Sequence, residues 1–351
     1  MKINPHHFLN RWQTFAQSIQ VQRSLSVRRS LHRQRRFFLL MGVTACLTSA
    51  CNSKAQTDHQ SLTTDSSTVR QVQHAFGETE VPVHPIRVVV WGYTTIEAVV
   101  AHGIQPIGVP NSMVDEMHYL SLDRETITEI GNPGQPNLEK ITALKPDLIL
   151  TSKHRIRDEY SLLAQIAPTV VFDIDSNTEW KELTRLCGEA LGKPAETEKL
   201  TAAYNAKRQE VRTRFSQNSK QFQVSVVYLH PEFIGTMGTN TFTGSVLADA
   251  GIARPPSQAQ AQGPRNISLE SLELLDGDAL YIIRPQSNHD VAAAIRAEID
   301  RIQAHPLWSQ LNAVQTNQVY EVGAHWAIGS YIAANLILDD LLKVRIGSVS
   351  L

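Results

Sequence analysis

The chain has 351 residues, of which 42% are hydrophobic and 19% are charged, so its composition is that of a globular protein rather than a disordered or fibrous one. Its formal net charge of -1 conceals an asymmetry, because residues 1–36 contain eight Lys or Arg and no Asp or Glu. Removing those eight from the 33 basic residues leaves 25 against 34 acidic ones, so the rest of the chain carries about -9. That acidic balance argues against a nucleic-acid partner.

The basic segment leads into an apolar stretch, RRFFLLMGVTACLTSAC, at residues 35–51. This stretch has the length of a signal peptide and is too short to cross a bilayer as a permanent helix. Arg35 and Arg36, followed by Phe38 and Leu39, resemble a twin-arginine signal, which predicts export of an already folded chain.

LTSAC, which ends at Cys51, resembles a lipobox, and VTAC, which ends at Cys46, also fits one. We favour lipidation of Cys51, because it leaves a longer apolar core and precedes a polar stretch suited to hold a domain off a membrane. The alternative is an incidental Cys within a cleaved peptide. We therefore predict a signal peptide with lipobox at 1–51 and a flexible tether at 52–79. The remaining thiol, Cys187, has no partner for an internal disulfide, so the exported domain must be held by its core.

The next part of the chain reads as strand, helix and strand at close spacing. The stretch from 131 to 152, GNPGQPNLEKITALKPDLILTS, then repeats this order as a turn, an amphipathic helix and an apolar strand. Such alternation is typical of a parallel sheet, and it predicts an N-terminal α/β lobe over residues 80–192. The first unit consists of RVVVW (87–91), TTIEAVVAHG (94–103) and PIGVP (106–110).

Residues 195–217 keep a helical apolar stripe among charges without Gly or Pro, which predicts a helix of about 30 Å. We assign residues 193–218 to a bridging helix and 219–351 to a C-terminal α/β lobe. The predicted fold is therefore α/β, with two parallel-sheet lobes joined by one long bridging helix and a ligand cleft between the lobes. The predicted elements of the second lobe are QVSVVYLH (223–230), TGSVLADAG (243–251), DALYIIRP (278–285), QVYEVG (318–323) and GSYIAANLILDDLLKVR (329–345).

Three segments resemble a known family, namely GNPGQPNLEKITALKPDLIL, ISLESLELLDGDALYII and HPLWSQLNAVQTNQVYEV. They are similar to the substrate-binding lipoproteins of bacterial ABC importers for ferric siderophores, vitamin B12 and haem, over residues 80–346. The likeness is greatest to the branch that binds ferric siderophores. It implies a monomer without resident cofactor or catalytic residues, which carries an iron(III)-siderophore complex to the permease subunits of an ABC importer in the inner membrane.

The same resemblance implies a role for two acids. In this family an acid on each lobe meets arginines of the two permease subunits, and by position these acids are Glu139 in NLE and Glu270 in SLES. Exposed carboxylates on rigid lobes would steer and orient a basic partner surface more than they add affinity. Glu273 is a competing choice, and both acids would also suit the first turn of a helix for its dipole alone.

In parallel α/β lobes, ligands bind beyond the carboxyl ends of the strands. Aromatic and cationic residues follow several predicted strands, which suits an anionic ligand with apolar surface. A Trp at a strand end also suits a lobe core, Lys153 and Arg157 suit a solvated surface, and Asn240 and Phe242 lie in a loop that suits a simple helix start. The predicted ligand-binding residues are Trp91, Tyr93, Arg155, His230, Arg284 and Trp326.

Other functions have less support. GxSxG, HExxH, Walker and strand-linked GxGxxG motifs do not occur, and the His residues lack the spacing of a protein-built metal site. Haem or vitamin B12 remains an alternative ligand, because His154, His230 or His325 could serve as an axial ligand. An exported hydrolase with a dispersed triad is a further alternative.

Overall fold

The computed structural model describes residues 68–111, 113–156, 159–217, 221–284 and 289–346. The predicted signal peptide, with Cys46 and Cys51, and the first part of the predicted tether lie outside the described residues, as does Arg157.

Strands and helices alternate through most of the described chain. The strands are β1 (Val69–His74), β2 (Gly77–Pro82), β3 (Val88–Trp91), β4 (Gly108–Val109), β5 (Thr128–Glu129), β6 (Gly131–Asn132), β7 (Gln135–Pro136), β8 (Leu148–Ser152), β9 (Thr169–Phe172), β10 (Val224–His230), β11 (Phe233–Thr236), β12 (Arg265–Ile267), β13 (Ala279–Ile283) and β14 (Val319–Val322). The α-helices are α1 (Tyr93–Ala101), α2 (Met113–Glu116), α3 (Leu138–Ala143), α4 (Tyr160–Leu163), α5 (Trp180–Leu191), α6 (Pro194–Ser216), α7 (Phe242–Asp249), α8 (Pro256–Ala259), α9 (His289–Gln303), α10 (Asn312–Gln315) and α11 (Tyr331–Leu342). Short 3-10 helices lie at Asn177–Glu179, Leu269–Leu275, Trp308–Gln310 and Ala324–Trp326.

The N-terminal lobe is built on a parallel sheet of five strands in the order β5-β4-β3-β8-β9. The strands β3, β8 and β9 are buried along their whole length. They are continuous apolar or near-apolar runs because helices cover both faces of a parallel sheet. This lobe therefore has the architecture that the sequence predicts.

The C-terminal lobe has a sheet of five strands in the order β12-β11-β10-β13-β14. Its strands β10, β13 and β14 are parallel, and they repeat the neighbour relations of β3, β8 and β9. The strands β11 and β12 extend this sheet in the antiparallel sense. The strands β11 and β12 are not predicted from the sequence, because β11 returns directly from β10 and does not follow the strand–helix–strand order of a parallel sheet.

Residues 69–82 form a hairpin of β1 and β2, so the predicted tether over residues 52–79 is wrong in its last part. Each of these two strands has one buried residue, Val72 or Val81, and most of the other residues are polar. The segment therefore resembles a polar linker in the sequence. The amide of Ala75 donates a hydrogen bond to the carbonyl of Val171 at 2.8 Å, so the hairpin covers the outer edge of β9. Covering an edge in this way removes a template for unwanted strand pairing.

The long helix α6 runs from Pro194 to Ser216, where periodicity predicts it. Pro194 stands at its first turn, where its fixed φ favours a helix and its missing N–H costs nothing. Tyr204, Val211 and Phe215 are buried along it. They pack into the main cluster of the C-terminal lobe, while α5 and α11 lie beside the same helix.

The two lobes share a buried aromatic cluster around Trp180, the first residue of α5. Its ring makes edge contacts with Tyr204 of α6, Phe242 of α7 and Tyr331 of α11, at centroid distances of 5.3, 5.6 and 4.9 Å. Its Nε1 donates to the Ser245 hydroxyl at 3.1 Å. A side chain that begins in the first lobe thus belongs to the core of the second.

Among the helices of the described residues, none combines the length and the apolar character that a membrane crossing requires.

We predict that Trp180→Ala lowers the free energy of unfolding by about 3–5 kcal/mol, because it removes a buried aromatic side chain and leaves a cavity between three rings. Urea unfolding followed by circular dichroism measures the change. Trp180→Phe, which keeps one ring in the cluster, should recover part of the loss. A cost below about 1 kcal/mol for the Ala variant would contradict the central place of this side chain.

Candidate ligand-binding cleft

The N-terminal wall of the candidate cleft begins where β3 ends. Gly92 has a φ of 126°, a conformation that residues with a Cβ rarely adopt, and it turns the chain directly into α1. Tyr93 is the first residue of that helix, and the Arg155 guanidinium carbon lies 6.0 Å from the centre of its ring. Both side chains are half-buried. The sharp turn therefore places an aromatic face next to a guanidinium group.

The segment that follows β8 carries two further polar residues. Lys153 Nζ pairs with Asp173 Oδ1 at 2.8 Å, and both side chains are largely exposed, so the pair contributes little to stability. His154 Nδ1 donates to the Ile174 carbonyl at 3.1 Å, and this bond ties the segment to the chain beyond β9. These contacts agree with the surface interpretation of Lys153.

The C-terminal wall includes an aromatic stack at the β10–β11 turn. Phe233 lies nearly parallel to His230, with centroids 4.7 Å apart, and also to Tyr228, at 6.2 Å. His230 Nδ1 accepts a hydrogen bond from the Glu232 amide at 3.3 Å. Burial lowers the pKa of His230, with a smaller opposing effect of the Glu232 carboxylate, so the neutral ring is favoured.

The two walls approach one another at Tyr228. Burial raises the pKa of this phenol, and the negative charge of Glu116, at the end of α2 in the other lobe, raises it further. The phenol is therefore neutral at physiological pH. Tyr119, which follows α2, also meets the C-terminal lobe, since its ring lies 5.7 Å from that of His325.

Arg284 follows β13 and forms an ion pair with Glu321 of β14. Arg296 approaches the same carboxylate at 3.5 Å. The Arg284 Nε is buried and has no hydrogen-bond partner within the described part of the chain. Glu321 thus binds the guanidinium group of Arg284, while the Nε–H donor makes no hydrogen bond to the described residues.

Two predicted ligand contacts are corrected by the structure. Trp326 is fully buried, stacks on Tyr281 at 4.3 Å and donates from Nε1 to Asp340 at 2.9 Å, so it is a core residue. Trp91 is only 4% exposed and packs among the core residues of its own lobe. The weaker candidate Phe242 is 1% exposed and belongs to the cluster around Trp180. In the N-terminal lobe the large side chain at the end of β3 points into the core, and Tyr93 follows once the chain has left the sheet.

The Nε2 atom of His325, which an axial ligand would use, is already bonded within the protein. Its Nε2 lies 2.9 Å from Asp340 Oδ2, and both side chains are mostly buried. Burial alone would raise the pKa of Asp340, but hydrogen bonds from His325, Lys343 and Trp326 outweigh it and hold the pKa at about 2. Asp340 therefore stays ionised and fixes the orientation of both rings.

Four residues of the candidate cleft are not predicted from the sequence, namely Glu116, Tyr119, Tyr228 and Phe233. Tyr119 and Glu116 lie in an irregular connection with no period to read, and Phe233 belongs to an antiparallel strand. The only available signal was the position of the connection, which begins where β4 ends.

In the part of the chain that the structure describes, no group of three or more His, Cys, Asp or Glu side chains is placed to hold a metal ion. Cys187 is a buried free thiol of α5, and burial raises its pKa far above the usual range.

Glu139 and Glu270 occupy matching places in the two lobes. Glu139 lies in the first turn of α3, capped by the Asn137 side chain, which accepts from the Lys140 amide at 3.0 Å. Glu270 stands two residues after the cap residue Ser268. Hydrogen bonds from the Ser268 side chain and from its own backbone amide lower the pKa of the Glu270 carboxyl. Both acids are exposed.

The spacing to the following strand distinguishes Glu270 from Glu273. Glu139 stands nine positions before Leu148, the first residue of β8, and Glu270 stands nine positions before Ala279, the first residue of β13. These strands have equivalent neighbours, because β8 lies beside β3 as β13 lies beside β10. Glu270, and not Glu273, is therefore the topological counterpart of Glu139.

Comparisons with known proteins agree with this architecture. The chain is 30% identical over 317 residues to the probable siderophore-binding lipoprotein YfiY of Bacillus subtilis (strain 168), covering 87% of this chain and 95% of the relative. It is 30% identical to the Fe(3+) dicitrate-binding periplasmic protein FecB of Escherichia coli (strain K12), covering 78% and 92%. The crystal structure of Staphylococcus aureus SirA complexed with staphyloferrin B matches with a TM-score of 0.66 at 27% identity, covering 78% of this chain and 97% of that one.

These matches confirm the two-lobe fold and the resemblance to siderophore-binding proteins that the sequence analysis identified. A family model described as periplasmic binding protein matches residues 88–325, from β3 to the 3-10 helix that follows β14. The chain therefore belongs to the periplasmic binding protein family.

Proposed function

We propose that this protein binds a ferric siderophore between its two lobes, in the periplasm or at the cell surface, and delivers it to an ABC-type permease of the inner membrane for iron uptake. The observation that carries the proposal is the pairing of Arg155 with Tyr93 on one wall, facing a lobe whose strand end carries the stack of Tyr228, Phe233 and His230. Relatives named for siderophore and ferric dicitrate binding support the same ligand class.

Binding in this proposal involves no chemical step by the protein. Iron arrives as cargo already coordinated by the siderophore, so the walls need only match the outer surface of the complex. Aromatic faces supply apolar area, and the Arg155 guanidinium supplies a fork of donors for carboxylate or hydroxamate oxygens. A ligand carboxylate that reaches Arg284 would compete with Glu321 for the same guanidinium group.

The siderophore proposal takes precedence over haem on one observation. Among the three candidate axial ligands, His325 has its Nε2 bonded to Asp340, and the His230 ring is stacked on Phe233. His154 keeps haem as an alternative outcome of a binding test, since its Nδ1 donates to Ile174 and leaves the other nitrogen with a lone pair.

The N-terminal residues support an anchored location. In the proposal, residues 1–51 direct export, by the twin-arginine route, and lipid attached to Cys51 holds the monomeric domain at the membrane. The hairpin that begins at Val69 leaves residues 52–68 as the tether. At no more than about 3.5 Å per residue, about seventeen residues reach about 60 Å, enough for the domain to meet a permease beside its anchor.

Delivery in the proposal depends on the two exposed acids. Glu139 and Glu270 precede equivalent strands in the two lobes, so each lobe offers one carboxylate to one permease subunit. Such charges act mainly on the rate and the orientation of docking, and they leave the cleft untouched.

The first prediction concerns the cleft. Arg155→Ala should weaken ferric siderophore binding by about 10- to 100-fold, the effect of losing one charge-assisted hydrogen-bond pair worth about 1.5–3 kcal/mol. Quenching of tryptophan fluorescence during titration with ferric citrate, other ferric siderophores, haem and cobalamin gives the affinities. Arg185→Ala serves as a matched control, because Arg185 pairs with Glu182 and Glu189 on an exposed face of α5.

Saturation by haem alone, with a Soret band, would show that the ligand is haem and not a ferric siderophore, and it would leave the fold assignment unchanged. Absence of saturation by every member of the panel would contradict the proposed function.

The second prediction concerns docking. The double variant Glu139→Lys with Glu270→Lys should abolish cellular uptake of radioactive iron and change ligand affinity less than twofold, because both side chains are exposed outside the cleft. The double variant Glu139→Lys with Glu273→Lys is the matched control, and it should retain more uptake. If the control loses as much uptake as the test variant, the assignment to Glu270 is wrong, and if both keep full uptake, neither acid docks.

A further inference from the structure

A buried acid with no role in the proposed cleft lies on α1. The side chain of Glu97 is fully buried, and its Oε1 accepts a hydrogen bond from the Tyr119 hydroxyl. The Ser330 hydroxyl lies near enough to favour the charged form of the carboxyl. Its Oε2 nevertheless has no hydrogen-bond partner among the described residues. A fully buried carboxylate satisfied on one oxygen only would be costly, so the site favours the neutral acid.

This carboxyl lies at the boundary between the lobes. Glu97 and Tyr119 belong to the N-terminal lobe, whereas Ser330 caps α11 of the other lobe, where its hydroxyl accepts from the Ala333 amide at 3.1 Å. Ile328 and Ile332, on either side of Ser330, pack against the core cluster of the N-terminal lobe. The chain of contacts therefore crosses from one lobe to the other at Glu97.

Tyr119 extends the same contact toward the cleft. Its ring meets the edge of the His325 ring, which Asp340 holds in place. Burial raises the pKa of Tyr119, the charge of Glu116 raises it further, and an ionised Glu97 would add to the effect, so the hydroxyl keeps its proton and acts as a donor to Glu97. The orientation of Tyr119 thus depends on the acid at one end and on the second lobe at the other.

Burial favours the neutral form of three further titratable groups near Glu97, whereas Glu116 contributes a negative charge near its partner Tyr119. The buried face of α5 carries the Cys187 thiol and that of α11 the Tyr331 phenol, and burial raises the pKa of both. On α1 itself, burial lowers the pKa of His102, which bonds to the Ala98 carbonyl and to Thr197. The strand β3 contributes only apolar residues to this region. Glu97 is therefore the buried carboxyl of this contact whose charge would change near neutral pH.

We propose that Glu97, Tyr119 and Ser330 form a proton-dependent clasp between the lobes, in which closure takes up one proton on Glu97 and loss of that proton opens the cleft. An ionised Glu97 needs water or new donors at Oε2, and the route by which water reaches it is separation of the Ser330 segment from α1. The consequence for ligand affinity rests on the proposed function, whereas the opening itself does not.

The direction of the pH effect follows from the two environments of the carboxyl. Burial raises the pKa of Glu97 to about 8 in the closed form, against partial opposition from Ser330 and Tyr119, while a solvated Glu has a value of about 4.5. At a pH between these two pKa values, closure of the lobes is accompanied by binding of one proton to Glu97. The equilibrium constant for closure therefore falls as the pH rises through this window. Between pH 7 and pH 9 the expected fall is about tenfold, after which it levels off.

The first test needs no ligand. Small-angle X-ray scattering of the purified protein from pH 6 to pH 9.5 should show the radius of gyration rising near pH 8, and Glu97→Gln, which keeps the shape and the acceptor for Tyr119, should abolish the rise. Tyr119→Phe should move the midpoint to higher pH, because it removes a donor that favours the charged acid. A merely structural role of Tyr119 would change stability without moving this midpoint.

Glu298→Gln is the matched control, since Glu298 is also mostly buried but pairs with Arg301 within α9. It should leave the midpoint unchanged. An unchanged radius of gyration in the wild type, or the same pH profile in Glu97→Gln as in the wild type, would overturn the clasp.

The second test uses ferric citrate as the probe. Its apparent affinity should fall about tenfold more between pH 7 and pH 9 in the wild type than in Glu97→Gln, and this comparison cancels the pH dependence of the iron complex itself. A pH-dependent opening without binding of ferric citrate or any other siderophore would contradict the proposed ligand and leave the clasp intact. Binding with identical pH profiles in the two proteins would contradict the clasp and leave the ligand intact.

Discussion

The structure depends on one shared core, in which Trp180 of the first lobe is packed by side chains of the bridging helix and the second lobe. A wide separation of the lobes would expose this ring and break its bond to Ser245, at a cost of several kcal/mol. The lobes are therefore restricted to small relative motions. A cleft built in this way has to admit its ligand by modest opening, and its walls must be largely formed beforehand.

Restricted motion makes the lobe boundary sensitive to small energies. Beside the shared aromatic cluster, the boundary also has a polar part, in which Tyr119 donates to Glu97 and touches His325. Binding or loss of one proton by a buried group can change the equilibrium constant between two conformations tenfold or more. This change is comparable to the free-energy difference between an open and a closed state. The same rigidity that limits the hinge thus allows one carboxyl to bias it.

In the N-terminal lobe, core residues at the strand end precede the residues of the cleft wall, whereas Tyr228 and His230 belong to strand β10 itself. Trp91, the last residue of β3, points into the core, and Trp326 does so just after β14. Only after the chain has left the sheet do Tyr93 and Arg155 reach the half-exposed rim. The equivalent topology of the two lobes also explains the pair of exposed acids, since Glu139 and Glu270 precede the same strand of each sheet. One structural repeat therefore supplies both the paired walls and the paired exposed acids.

The sequence by itself determined the elements with strong periodicity, which are the buried parallel strands, the long helix α6 and the order of the two lobes. It also predicted that Tyr93 and Arg155 follow strands, because a strand end can be read from the end of an apolar run. Most of the hairpin at Val69–Pro82 falls within the tether predicted over residues 52–79, since strands with one buried residue each resemble a polar linker. Only the tertiary structure decided which aromatic side chains face the core, where Arg284 finds its ion pair, and that Glu97 meets Ser330. These relations join residues far apart in the chain, and they depend on packing between elements, of which local periodicity carries no record.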